Sequence, residues 1–132
     1  MNSAQFQIEE LFIRKFIIKD KQERYLGFIE KEKTRNKFTR ELSHFKDFKW
    51  DLFREISGSE NEREAIKAKI KKNIKISTCY VISGYSQFDK KIISTLEAIE
   101  NIVGNDSTIL IFGNAEIVYY EAEAFDGRYI SV

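Results

Sequence analysis

Cys79 and His44 are each the only residue of their type in 132. Together they set the limits on nucleophilic chemistry. A nucleophilic thiol needs a lowered pKa, from an imidazole or a helix N-terminus, and some exposure to solvent. Cys79 lies in "STCYVISGYSQFDKK", between Thr78 and Tyr80, several residues before a glycine ends the apolar run. Free cysteine is among the most buried residue types, so a place inside a strand is the favoured reading. His44 stands one residue off the Phe38, Leu42 and Phe45 stripe. A histidine there is a half-buried packing residue unless it faces Cys79, Tyr80 or a carboxylate that could orient it as a base.

Two carboxylates in "YYEAEAFD" are the next candidates. On an alternating strand, Glu121 and Glu123 share a face with Tyr119, opposite Tyr120, Ala122 and Ala124. Paired acids can exchange protons or bind a cation. They can equally be the charged outer face of an edge strand. Five cations, Lys67, Lys69, Lys71, Lys72 and Lys75, crowd the segment 63–75 against Glu62 and Glu64, an electrostatic patch that could meet nucleic acid or simply face solvent. The stretch 31–50 interleaves aromatics with Arg and Lys, but its phenylalanines fall at core spacing and its carboxylates dilute the charge. No phosphate-loop, dinucleotide-binding or G-x-S-x-G motif occurs. No catalytic residue, metal or cofactor is assigned on this basis.

The elements that must hold these residues change period halfway along the chain. "AQFQIEELFIRKFIIK" places Ile8, Leu11, Phe12 and Phe16 near one helical face, widened by Ile13 and Ile17. "DKQE" suggests a second helix capped at Asp20, with Gly27 marking close packing or a bend. "TRNKFTRELSHFKDF" reads as a third helix capped by Thr34, and "DLFREI" as a further turn. "SENE" then opens a fourth helix along Ile66, Ile70 and Ile74. After it "IKISTCYVIS" reads as a strand and "FDKKIISTLEAIENIVG" as a helix capped by Asp89, striped by Ile92, Leu96, Ile99 and Val103, and closed by Gly104. Three meandering strands follow, with turns at "GN" (113–114) and "DG" (126–127). The expectation is one α+β domain over residues 1–132. About four N-terminal helices pack on a mainly antiparallel four-stranded sheet, in the order ααααβαβββ. "CYVI" and "TILIF" are apolar on both parities, which predicts that both sheet faces are covered.

Composition bounds the rest. One cysteine excludes an internal disulfide and a cysteine-based zinc cluster, and one histidine excludes a multi-histidine metal site. No signal peptide opens the chain and no apolar run approaches the ~20 residues of a membrane helix, so a cytoplasmic protein without membrane contact is expected. The net charge of +1 hides an asymmetry: residues 1–76 hold 19 Lys and Arg against 13 Asp and Glu, and residues 77–132 hold 3 against 8. Two-signed halves suit a protein partner or self-association.

Four segments in order, "ERYLGF" (23–28), "FTRELSHF" (38–45), "CYVIS" (79–83) and "VYYEAE…GRYI" (118–130), resemble those of a family of short bacterial proteins without an assigned activity. The similarity runs from about residue 20 to the end, leaving out 57–75. It implies a bacterial cytosolic α+β protein and brings no chemistry with it. It also marks Arg24, Tyr25, His44, Cys79, Tyr80, Ser83, Glu121 and Arg128 as motif positions, which would form a polar cleft if they converge. The leading functional expectation is a non-catalytic protein-binding or regulatory module. A small enzyme using His44 with Cys79 or Glu121 is the alternative, and nucleic-acid binding through the lysine helix the third.

Overall fold

The computed structural model describes residues 1–73, 75–123 and 127–132. Helices α1 (Ser3–Phe16), α2 (Gln22–Ile29) and α3 (Glu32–Thr39) come first, followed by strand β1 (Phe53–Glu55) and helix α4 (Glu62–Lys71). Then come β2 (Thr78–Ser83), β3 (Ile92–Ser94), α5 (Thr95–Glu97, continued as a π turn over Ala98–Ile102), β4 (Thr108–Phe112), β5 (Ile117–Glu121) and β6 (Arg128–Ser131). The broad α+β class is as expected. The sheet is larger: six antiparallel strands in the order β1-β6-β5-β4-β2-β3.

Both additional strands lie at sheet edges, in segments expected to be helical. "DLFREI" makes one 3-10 turn over Trp50–Leu52 and then pairs Phe53, Arg54 and Glu55 with Ser131, Ile130 and Tyr129. Residues 92–94 pair with Thr78, Cys79 and Tyr80. The helix after them begins only at Thr95, where the Ser94 side chain accepts from Glu97 N at 3.1 Å. Asp89 is therefore no helix cap; its carboxylate accepts from the Ser83 amide and from Arg35. Ile92 and Leu96 of the expected stripe are 52% and 57% exposed, while Ala98, Ile99, Ile102 and Val103 are buried.

Sheet parity creates two cores. Tyr80, Ile82, Ile109, Ile111, Val118 and Tyr120 face α1–α3, where they meet Phe12, Phe16, Tyr25, Phe38, Phe45 and Phe48. Cys79, Val81, Leu110, Phe112, Ile117 and Tyr119 face the other way, onto Ala65 and Ile66 of α4 and the α5 layer. The helices thus cover both sheet faces, as the unbroken apolar strands require.

Local signals shift by a residue or two. Asn2 caps α1 reciprocally with Gln5, each backbone N–H bonded to the other's side chain at 2.9 Å. Asp20 lies in a 3-10 turn (Lys19–Lys21) before α2, and Thr34 lies inside α3, where its hydroxyl donates to the Phe28 carbonyl. Asn61, two residues beyond the expected Ser59, caps α4 through a bond from Glu64 N. A methyl group at Gly27 would meet nothing within 4 Å, so this glycine is not a close-packing site. The β4–β5 connection is four residues long, and Gly113 and Ala115 take positive φ there (63° and 60°). Ile74, Ala124 and Asp126 lie outside the described residues.

Candidate functional site

The eight motif positions do not form one cleft; they divide among four places. Cys79 lies in the core against the α4 and α5 layer, 1% exposed. Burial pushes its thiol well above the ordinary range, so no thiolate is available near neutrality. His44 ends a 3-10 segment (Arg40–His44) on the side of α1–α3, so the sheet stands between the two groups. His44 instead pairs with Glu123, Nε2 to Oε2 at 2.8 Å, both side chains more than half exposed.

Tyr80 and Ser83 belong to a polar cluster enclosed between α1, α3 and the segment joining β2 to β3. Its centre is Arg35, only 1% exposed. Arg35 Nε and Nη2 donate to the Glu9 carboxylate at 2.7–3.1 Å, and Nη1 and Nη2 donate to Asp89 at 2.5 and 3.0 Å. Tyr80 OH donates to Glu9 Oε2 at 2.5 Å, and the Ser83 amide donates to Asp89 Oδ1 at 3.0 Å. Burial works against the Arg35 charge, but bonds to Asp89 and Glu9 outweigh it and hold the guanidinium more firmly protonated than usual. Burial, with the Glu9 charge behind it, raises the Tyr80 phenol. No described side-chain donor or acceptor is left buried without a partner. A buried charge pair satisfied this completely locks neighbouring elements together and offers no reactive group to solvent.

The composition of this cluster was not foreseen, yet the sequence holds its trace. Glu9 precedes Phe12, Ile13 and Phe16 at i, i+3, i+4 and i+7, and Arg35 precedes Phe38, Thr39 and Leu42 in the same way. A lone charge of each sign at the head of a buried stripe is the readable signal.

Arg24 and His44 line a cleft of about 400 Å³ with Lys21, Arg40, Lys46, Glu41 and Asp47, and the buried Tyr25 adjoins it through Glu41 and Asp47. Tyr25 packs among Phe28, Phe38 and Phe45, with ring centroids 5.2–5.7 Å away, and its hydroxyl meets the two carboxylates that line the cleft. There it stands 2.5 Å from both Glu41 Oε2 and Asp47 Oδ2. Burial and these two carboxylates push the phenol far above its usual pKa. The Arg24 guanidinium rests 5.2 Å from the Phe28 ring centre and reaches Glu41 at 3.2 Å. A smaller cleft of about 220 Å³ adjoins through His44 and Lys46 and is bounded by Trp50 and Tyr129.

Glu121 and Arg128 line a third cleft of about 440 Å³, with Glu55, Asp106 and Glu123. Glu121 accepts from Tyr119 OH at 2.7 Å and from Gly104 N at 3.0 Å, while Arg128 is tied to Glu62 and to the Ser57 carbonyl. The chain bends after β5, and Glu123, which borders the same cleft as Glu121, pairs with His44. β5 is also an interior strand, between β4 and β6, so these acids do not guard a sheet edge. Helix α4 ends at Lys71, short of the expected 63–75, and the lysines of that segment are dispersed: Lys67 reaches Glu64 at 3.7 Å, Lys69 and Lys72 share a groove with Glu60 and Glu64, and Lys75 lines another with Glu116.

Among the described residues, no cluster of three or more His, Cys, Asp or Glu is arranged to hold a metal ion, and no helix is long and apolar enough to cross a membrane. No protein family, curated protein or solved structure matches the chain.

Proposed function

We propose that this chain is a non-catalytic module that acts by protein–protein contact. The observation that carries this reading is how its reactive and its adhesive groups are divided. Cys79, Glu9, Tyr80 and Asp89 are enclosed and spent on one another or on packing. At the surface stand groups suited to recognition: Arg24, Arg40, His44 and Lys46 beside Trp50, which is 39% exposed. Arginine and aromatic residues are the types enriched where proteins bind one another. The two-signed charge of the chain adds complementarity for a partner or a second copy.

Catalysis by His44 with Cys79 gains no support from residues on opposite sides of a sheet, and Glu121 is engaged by Tyr119 and Gly104. Nucleic-acid binding through Lys67, Lys69, Lys71, Lys72 and Lys75 gains little, because Lys69 and Lys72 line one groove and Lys75 another, both with carboxylates, and Lys67 is paired with Glu64. Affinity capture with the tagged chain from a lysate of its source, followed by sizing of the eluate, tests the reading. One stoichiometric partner or a homodimer is expected; a monomer that retains nothing would contradict it.

A further inference from the structure

The cleft beside Tyr25 also specifies what such a partner presents, an inference that rests on the binding reading above. Lys21, Arg24, Arg40, His44 and Lys46 converge on one opening of about 400 Å³. Arg24 is paired with Glu41 and His44 with Glu123. Lys21, Arg40 and Lys46 make no ion pair among the described residues. Glu41 and Asp47, the carboxylates of the same cleft, both turn toward the Tyr25 hydroxyl. The rim is therefore cationic in a chain whose net charge is only +1. Cations gathered in a small concavity repel one another and focus a positive potential outward, an arrangement that an anionic ligand relieves.

An independent feature lies alongside. His44 and Lys46 also line the neighbouring cleft, where Trp50 and Tyr129 pack with ring centroids 4.8 Å apart. The indole N–H of Trp50 is already spent on the Lys46 carbonyl at 3.0 Å, so what the ring offers a ligand is apolar surface. We propose that the two clefts together receive an acidic segment of a protein, its carboxylates at Lys21, Arg40 and Lys46 and a neighbouring aromatic side chain against Trp50. A nucleic-acid strand fits less well, because its backbone needs cations spaced along a track, whereas Lys21, Arg24, Arg40 and Lys46 gather at one opening.

Trp50 is the only tryptophan, so its emission reports directly on this surface. Titrating the full chain at low salt with a random glutamate–tyrosine copolymer, with excitation selective for tryptophan, should give a saturable change. The affinity should fall by about tenfold on moving to moderate salt, as screening weakens exposed charge pairs. Arg40 and Lys46 are exposed, so the double variant R40E/K46E keeps the fold, which circular dichroism checks, and should lose about tenfold or more in affinity. Polyglutamate, an anion without rings, should bind more weakly than the copolymer. No saturable change, unaltered binding by R40E/K46E, or tighter binding of oligothymidine than of the copolymer would overturn the proposal. Should the wild-type chain and R40E/K46E capture the same partner equally well, this inference fails while the binding reading stands.

Discussion

Arg35 holds together three parts of the chain that are distant in sequence, and its energetics follow from its burial. Removing one member of a buried, hydrogen-bonded charge cluster leaves the others unpaired in a poorly solvating interior. Arg35→Ala strands Glu9 and most of Asp89, and is expected to cost about 3–5 kcal/mol in urea unfolding. A loss below about 1 kcal/mol would mean that water reaches the cluster. Cys79 makes the opposite kind of prediction. Enclosed, and with burial favouring its thiol form, it should resist disulfide-exchange reagents in the native state and react only as fast as the chain opens. Rapid labelling under native conditions would contradict that placement. The buried reading of Cys79 was open to sequence reasoning, because β-branched and aromatic neighbours surround it. The burial of Glu9 and Arg35 was legible only in their phase with the buried stripes, because a charged residue type by itself argues for solvent.

Among the elements, those with strong local signals were legible and those made by pairing were not. β2, β4 and β5 carry dense apolar runs, and Gly113 and Gly127, both at positive φ, stand ahead of β5 and β6, so each could be placed from its own residues. β1 and β3 are three residues long and take strand geometry only because β6 and β2 offer them an edge. That partner is distant in sequence, and no local period announces it. α2 yields a direct test. Gly27 is exposed on a helix, its φ is not positive, and an added methyl group meets nothing. Gly27→Ala should therefore stabilise the chain by about 0.5–1 kcal/mol, chiefly by reducing the freedom of the unfolded state, with thermal unfolding as the measure. An unchanged or lowered midpoint would mean that α2 is not helical through this residue.

For the molecule as a whole, two opposed cores share one sheet, and three phenols are set within them or at their rims. Tyr25, Tyr80 and Tyr119 all have pKa values raised first by burial and then by neighbouring carboxylates. A raised pKa means that the folded state holds its proton more tightly than the unfolded state does. Their contribution to stability is thus complete below the ordinary phenol value of about 10 and is lost as pH rises beyond it. Alkaline titration followed by tyrosinate absorbance should show these three ionising only together with cooperative unfolding. Smooth ionisation of all the tyrosines in a folded chain would refute their placement. The charge asymmetry between the two halves was visible in composition, whereas the gathering of Lys21, Arg24, Arg40 and Lys46 on one cleft depends on how α2 packs against the chain after α3. The most direct test of the protein-binding account is quantitative capture from a source lysate by the wild-type chain and by R40E/K46E, with unfolding midpoints measured in parallel. The account predicts one stoichiometric partner for the wild type and its loss from an equally stable variant. Equal recovery by both proteins would contradict the assignment of binding to this face.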